Sequence, residues 1–249
     1  MAGTDAPRPS AKRQSRRKGN GRRILRIGHR GAAGHAPENT IAAIRTGISL
    51  GVDFVELDVQ RTRDGHLVLM HDKLVDRTTN GRGPVSEMSW DELQLLDAGD
   101  GERVPSVEAA LAAASGRTGV ILEAKTPGIG ADLYGAVQAS AFSGSVIYAS
   151  FLHAEILAIR GIDPQARTMA LMEAVPILGT AFAREGNATM VGLAFDATTA
   201  EFVNELHDVS LEVLLYTVNE PRLIAHAIDL DADGIISDYP ERVPKIRLR

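Results

Sequence analysis

From Ile24 onward, short runs rich in β-branched residues alternate with stretches of helical periodicity, and this rhythm constrains the fold more than any single residue does. Nine runs read as strands: "ILRIG" (24–28), "FVELDV" (54–59), "HLVLM" (66–70), "GVILEA" (119–124), "SVIYAS" (145–150), "RTMALM" (167–172), "MVGLAF" (190–195), "EVLLYTV" (212–218) and "GIIS" (234–237). Most are followed by a helix pattern. After the first comes "NTIAAIRTGISLG", where Ile41, Ile44 and Ile48 share a face. Asn39 or Thr40 suits its start, and Gly51 its end. Strand–helix alternation of this kind implies an α/β fold with a parallel sheet.

Nine strands are one too many for a (β/α)8 barrel of the TIM type. The surplus strand identifies itself. Between "FVELDV" and "HLVLM" lies "QRTRDG", whose Asp64-Gly65 suits a hairpin turn. The third run is then antiparallel to the second and cannot be the next barrel strand. Eight remain, and 249 residues is a typical length for such a barrel. A doubly wound open sheet would need a phosphate loop such as G-x-G-x-x-G after its first strand, which "GHRGAAG" does not supply. The stretch 73–105 breaks the rhythm. It reads as a short insertion after the second strand, with one helix near 89–96, too poor in apolar residues to be a separate domain.

Charge divides the chain differently. Residues 1–23 carry eight Lys or Arg and one acid, a balance of +7, and the remainder carries 19 basic and 31 acidic residues, a balance of −12. The basic segment lacks apolar residues and is expected to be a disordered tail, leaving 24–249 as one barrel domain. An acidic body does not suit a nucleic-acid enzyme, so no stable nucleic-acid partner is expected. The tail has no apolar stretch after its charges, as a secretory signal would, and the chain has no cysteine. Both fit a cytoplasmic location. No apolar run reaches the roughly 18–20 residues that span a bilayer. Nothing in the sequence reads out the oligomeric state.

Strand parity then gathers the polar residues. In "FVELDV", Val55, Leu57 and Val59 form an apolar face suited to the helix ring, so Glu56 and Asp58 point inward near the strand's C-terminal end. In "GVILEAK", the same parity turns Glu123 and Lys125 inward. Active sites of this barrel lie at that rim. Each acid alone would more often be half of a surface ion pair. Three inward carboxylates repel one another unless protonated or joined by a cation, and an all-oxygen set favours Mg²⁺ or Ca²⁺. His29 ends the first strand. His71 ends the returning hairpin arm and is expected beside Glu56 and Asp58. A lone histidine there would more often be structural, whereas two at one rim suit a general acid–base pair. Arg30, Lys125 and the N-terminus of the helix after Asn39 add positive charge where a phosphate could lie. His35 reads as a loop residue.

The ordered series "HRG", "PENT", "ELDV", "HD", "LEAK", "YTVN" and "DGIISDYP" resembles the glycerophosphodiester phosphodiesterase family from about Ile24 to Val243. The resemblance implies a (β/α)8 barrel with an insertion after the second strand. It implies that Glu56, Asp58 and Glu123 bind one divalent ion, that His29 and His71 are the acid–base pair, and that Arg30 and Lys125 hold the phosphate. Glu38 and Asn39 match the family's "ENT" and are expected to organise that shell. Two departures stand out: Tyr216 where the family often has Trp, bearing on the alcohol pocket, and "EAK" where it often has "ELK". The expected reaction is metal-dependent hydrolysis of a small-molecule glycerophosphodiester to glycerol 3-phosphate and an alcohol. The alternatives are a phospholipid-directed phosphodiesterase resembling phospholipase C or D, and a barrel that binds glycerol phosphate without turning it over.

Overall fold

A computed structural model describes residues 23–246. The expected basic tail therefore lies, apart from Arg23, outside the described residues. All nine strand runs form strands: β1 (Leu25–Gly28), β2 (Phe54–Arg61), β3 (Leu67–Leu69), β4 (Gly119–Ala124), β5 (Val146–Ser150), β6 (Thr168–Met172), β7 (Met190–Ala194), β8 (Glu212–Tyr216) and β9 (Gly234–Ser237). Eight of them pair in parallel, and β9 closes onto β1, which in turn pairs with β2. The ninth, β3, runs antiparallel to the far end of β2, with Val59 opposite Leu69 and Arg61 opposite Leu67. The fold is thus a TIM barrel with a hairpin arm on its second strand.

Parity sorts the residues as the pattern requires. Ile27, Phe54, Ile121, Ile147, Met169 and Leu214 pack inside the barrel. Val55, Leu57 and Val59 face outward into the apolar layer shared with the helices α1 (Ile41–Ser49), α3 (Val107–Ala114) and α4 (Gly130–Ala139). A fully buried Leu or Ile contributes roughly 1.5–3 kcal/mol, so strand register is held firmly: a slip of one residue would exchange the two faces. The remaining helices are α2 (Trp90–Gln94), α5 (His153–Ile162), α6 (Ala181–Glu185), α7 (Ala200–Asp208) and α8 (Pro221–Asp229). None of the described helices is long and apolar enough to cross a membrane.

Thr40, not Asn39, caps α1: its hydroxyl accepts from the Ala43 amide at 3.2 Å. The chain leaves α1 through Gly51 at φ +72°. The expectation that this helix end would face a phosphate is not met. The Ala42 amide donates to the Glu102 carboxylate at 3.1 Å, so a carboxylate from the insertion already occupies the anion position.

The insertion holds α2, shorter than the expected 89–96. Ser89 and Glu92 form a capping box at its start, the Ser89 amide donating to the Glu92 carboxylate at 2.7 Å. Val75, Val85, Leu93 and Val104 form a small core, but they share it with Val68 of β3 and with Met70. The insertion is accordingly an extension of the hairpin arm and not a second domain.

Candidate active site

The loop after β1 begins the site. Gly31 lies at φ +93°, and a Cβ there would stand 2.6 Å from the Ala43 backbone, so the loop lies directly on α1. Arg30 and Asn39 also take positive φ, +50° and +57°. Such conformations cost of order 1–3 kcal/mol each and persist where surrounding bonds fix them. Here the bonds are specific. The Arg30 amide donates to the Glu56 carboxylate at 3.0 Å, and the Asn39 amide to the Arg30 carbonyl at 3.0 Å. The Asn39 side chain embraces Asp58, donating to its carboxylate at 2.8 Å and accepting from its amide at 3.1 Å.

β2 and β4 supply the acids. Asp58 and Glu123 are register partners across the two strands, and Glu56 lies one pleat below Asp58. All three are buried, and one oxygen from each lies within 4.8 Å of the others. Among the described residues this is the one group of three or more potential metal ligands at that spacing. Burial, then the charge of Asp58, pushes the Glu56 carboxyl up to about 7 and the Glu123 carboxyl up to about 8. Asp58 itself is held low, because Lys125 and Arg30 together outweigh its burial. Lys125 Nζ lies 2.9 Å from Glu123 and 3.4 Å from Asp58. Arg30 pairs with Glu38 at 2.6 Å and places Nε 3.3 Å from Asp58, yet that buried Nε makes no hydrogen bond. Three crowded carboxylates, two of them held toward protonation, form a site for a divalent cation, and their all-oxygen donors suit a hard ion.

The imidazoles approach from two sides. His29 Nε2 is 4.0 Å from Glu56, and its Nδ1 is 2.7 Å from Asp238. Burial opposes charging this ring, but the Asp238 hydrogen bond and the Glu56 charge prevail and raise its pKa above the usual histidine value. His71 Nδ1 is 2.7 Å from Asp72. The Met70 amide bonds the Asp58 carbonyl at 3.0 Å, which sets His71 at the end of the arm.

A cavity opens over the acids. His29, Glu56 and Glu123 line it, together with Leu171, Phe151 and Tyr216. Tyr216 donates its hydroxyl to the Met172 carbonyl at 2.8 Å, and its ring meets Phe151 edge-on with centroids 6.0 Å apart. His71 lines a second, smaller recess with Glu38 and Asn39. His35 stands apart, pairing with Glu241 at 3.0 Å.

Asp238, Asp72 and Asn219 belong to the site but were not singled out from the sequence. The Asp238 carboxylate accepts from Asn219 Nδ2 at 2.6 Å, while Asn219 Oδ1 accepts from the Asp238 backbone amide at 2.9 Å. Their signal lay inside the quoted motifs: Asp72 follows His71 in "HD", Asn219 ends "YTVN", and Asp238 lies in "DGIISDYP".

A buried acidic cluster at the C-terminal mouth of a parallel barrel, flanked by a guanidinium, an ammonium and two carboxylate-backed imidazoles, defines a metal-dependent phosphate-ester hydrolase. Residues 29–242 match the model of the glycerophosphoryl diester phosphodiesterase family, and the chain belongs to that family. It is 32% identical over 232 residues to the glycerophosphodiester phosphodiesterase of Caldanaerobacter subterraneus subsp. tengcongensis, covering 88% of this chain and 96% of that one. It is 30% identical over 254 residues to the enzyme of that name from Bacillus subtilis, covering 90% and 87%. A phosphodiesterase from Oleispira antarctica, solved in complex with the product sn-glycerol-3-phosphate, superposes with a TM-score of 0.82 at 26% identity, covering 87% of this chain and 94% of that one.

Proposed function

We propose that the protein hydrolyses glycerophosphodiesters to sn-glycerol 3-phosphate and an alcohol, with Glu56, Asp58 and Glu123 holding one Mg²⁺ or Ca²⁺. The observation that carries this reading is the convergence of those three carboxylates, with Arg30 and Lys125 at 3.3 and 3.4 Å from Asp58 and with His29, Glu56 and Glu123 lining one cavity. The bound cation would supply Lewis-acid charge at the phosphoryl oxygens. Arg30 and Lys125 bind the phosphate, and Glu38 and Asn39 hold Arg30 and Asp58 in place. Tyr216, with Phe151, shapes the pocket for the organic part of the substrate.

His29 is the base. Its Nδ1–H donates a hydrogen bond to Asp238, which leaves the Nε2 lone pair to accept a proton from the nucleophilic hydroxyl. That hydroxyl is either the glycerol 2-OH, which expels the alcohol to leave a cyclic phosphate that water then opens to glycerol 3-phosphate, or water itself, which expels the alcohol directly. His71, its Nδ1 directed to Asp72, presents Nε2–H as the acid that protonates the leaving alkoxide. The division into a basic tail over 1–23 and one barrel domain over 24–249 belongs to the same reading. So does a cytoplasmic location, which rests on the cysteine-free sequence.

A panel of glycerophosphocholine, glycerophosphoethanolamine, glycerophosphoglycerol and glycerophosphoinositol, assayed for released glycerol 3-phosphate, tests the proposal. Release from at least one member is expected. Binding without turnover across the panel would favour a non-catalytic barrel, and faster turnover of phospholipid vesicles a lipid-directed enzyme.

A further inference from the structure

Arg77 lies in the insertion, about half exposed, and no role follows for it from the reading above. It nevertheless makes four hydrogen bonds to two carboxylates from different segments. Nε and Nη2 donate to Asp72 at 2.7 and 3.1 Å, and Nη1 and Nη2 donate to Glu38 at 2.7 Å each. Each carboxylate has a second partner. Glu38 holds Arg30 at 2.6 Å, and Asp72 holds His71 at 2.7 Å. A chain of polar contacts therefore runs from His71 through Asp72, Arg77, Glu38 and Arg30 to Asp58. The carboxylate that holds Arg30 and the carboxylate that holds His71 thus share Arg77 as a bonded partner.

We propose that Arg77 is a positioning residue that clamps Arg30, through Glu38, to His71, through Asp72. The insertion thereby completes the site. The inference rests on the functional reading above. Two carboxylates need a planar fork with several donors in fixed directions, which guanidinium has and an ammonium lacks. Exposed ion pairs add little to stability, typically below about 1 kcal/mol. A purely structural Arg77 would therefore show a small effect everywhere, whereas a positioning one affects turnover and leaves the melting temperature nearly unchanged.

The test compares full-length wild type, Arg77→Ala, Arg77→Lys and a control in the same loop, Arg82→Ala, whose side chain is 90% exposed. Glycerol 3-phosphate release from glycerophosphocholine is measured at saturating divalent cation, with thermal unfolding in parallel. Arg77→Ala is expected to lose about 10–100-fold in kcat, the range for residues that orient a metal-site shell. Its unfolding midpoint should stay near wild type. Millimolar guanidinium should restore part of the rate where equal sodium chloride does not, Arg77→Lys should remain impaired, and Arg82→Ala should behave as wild type. Wild-type kcat in Arg77→Ala, or a loss that guanidinium does not relieve, overturns the inference alone. A wild-type chain inert on every glycerophosphodiester overturns it together with the functional reading.

Discussion

Gly31 shows how tightly the loop after β1 is specified. Its φ of +93° and the 2.6 Å approach to Ala43 leave no room for a side chain. Gly31→Ala should destabilise the protein by about 2–3 kcal/mol in urea unfolding, with activity falling as the loop shifts. The acids make a different prediction. Asp58→Ala or Glu123→Ala should weaken divalent-cation binding in calorimetry, and excess cation should rescue activity only partly. Full activity in either variant would misplace the site. His29→Ala should abolish turnover while cation affinity stays near wild type, because His29 contributes no oxygen to the cluster. The acids were legible in the sequence because strand parity fixes direction: once Val55, Leu57 and Val59 are assigned to the helix side, Glu56 and Asp58 have only the interior. Asp72 and Asp238 were not, because a loop carboxylate has no parity, and only the finished fold turns it toward a ring nitrogen.

The hairpin arm is the element that departs from barrel regularity. Its turn is locked by Asp64, which accepts from the Thr62 hydroxyl at 2.6 Å and from the Trp90 amide at 3.1 Å. The Thr62 hydroxyl and then the Trp90 amide hold the Asp64 carboxyl down to about 2. A depressed carboxyl stabilises the fold above its unfolded pKa, about 4, and loses that contribution as pH falls through its folded value. The stability gap between wild type and Asp64→Asn should therefore be widest above about pH 4 and close toward pH 2 in chemical denaturation. In the insertion, Leu93 is fully buried, so Leu93→Ala should cost about 2–5 kcal/mol and open this segment to protease before the barrel. The nine strands and the hairpin were readable because β-branched runs and Asp-Gly turns act locally. The fate of the α1 N-terminus was not, since Glu102 reaches Ala42 across 60 residues of chain.

At the scale of the molecule, closure of the barrel does the chemical assembly. β9 pairs with β1, so Asp238 meets His29 across 209 residues, and the β2–β4 pairing sets Asp58 beside Glu123. Family membership and the barrel were legible from ordered motifs, while the links among those motifs were not, because they exist only after closure. We infer that the three buried carboxylates hold a cation without which the ester is not cleaved. The measurement that tests it is glycerol 3-phosphate release from glycerophosphodiester by the wild-type protein, first after chelation and then with Mg²⁺ or Ca²⁺ added back. Loss of activity on chelation and its return with one of these ions is the predicted result. Undiminished release from the thoroughly chelated protein would contradict it.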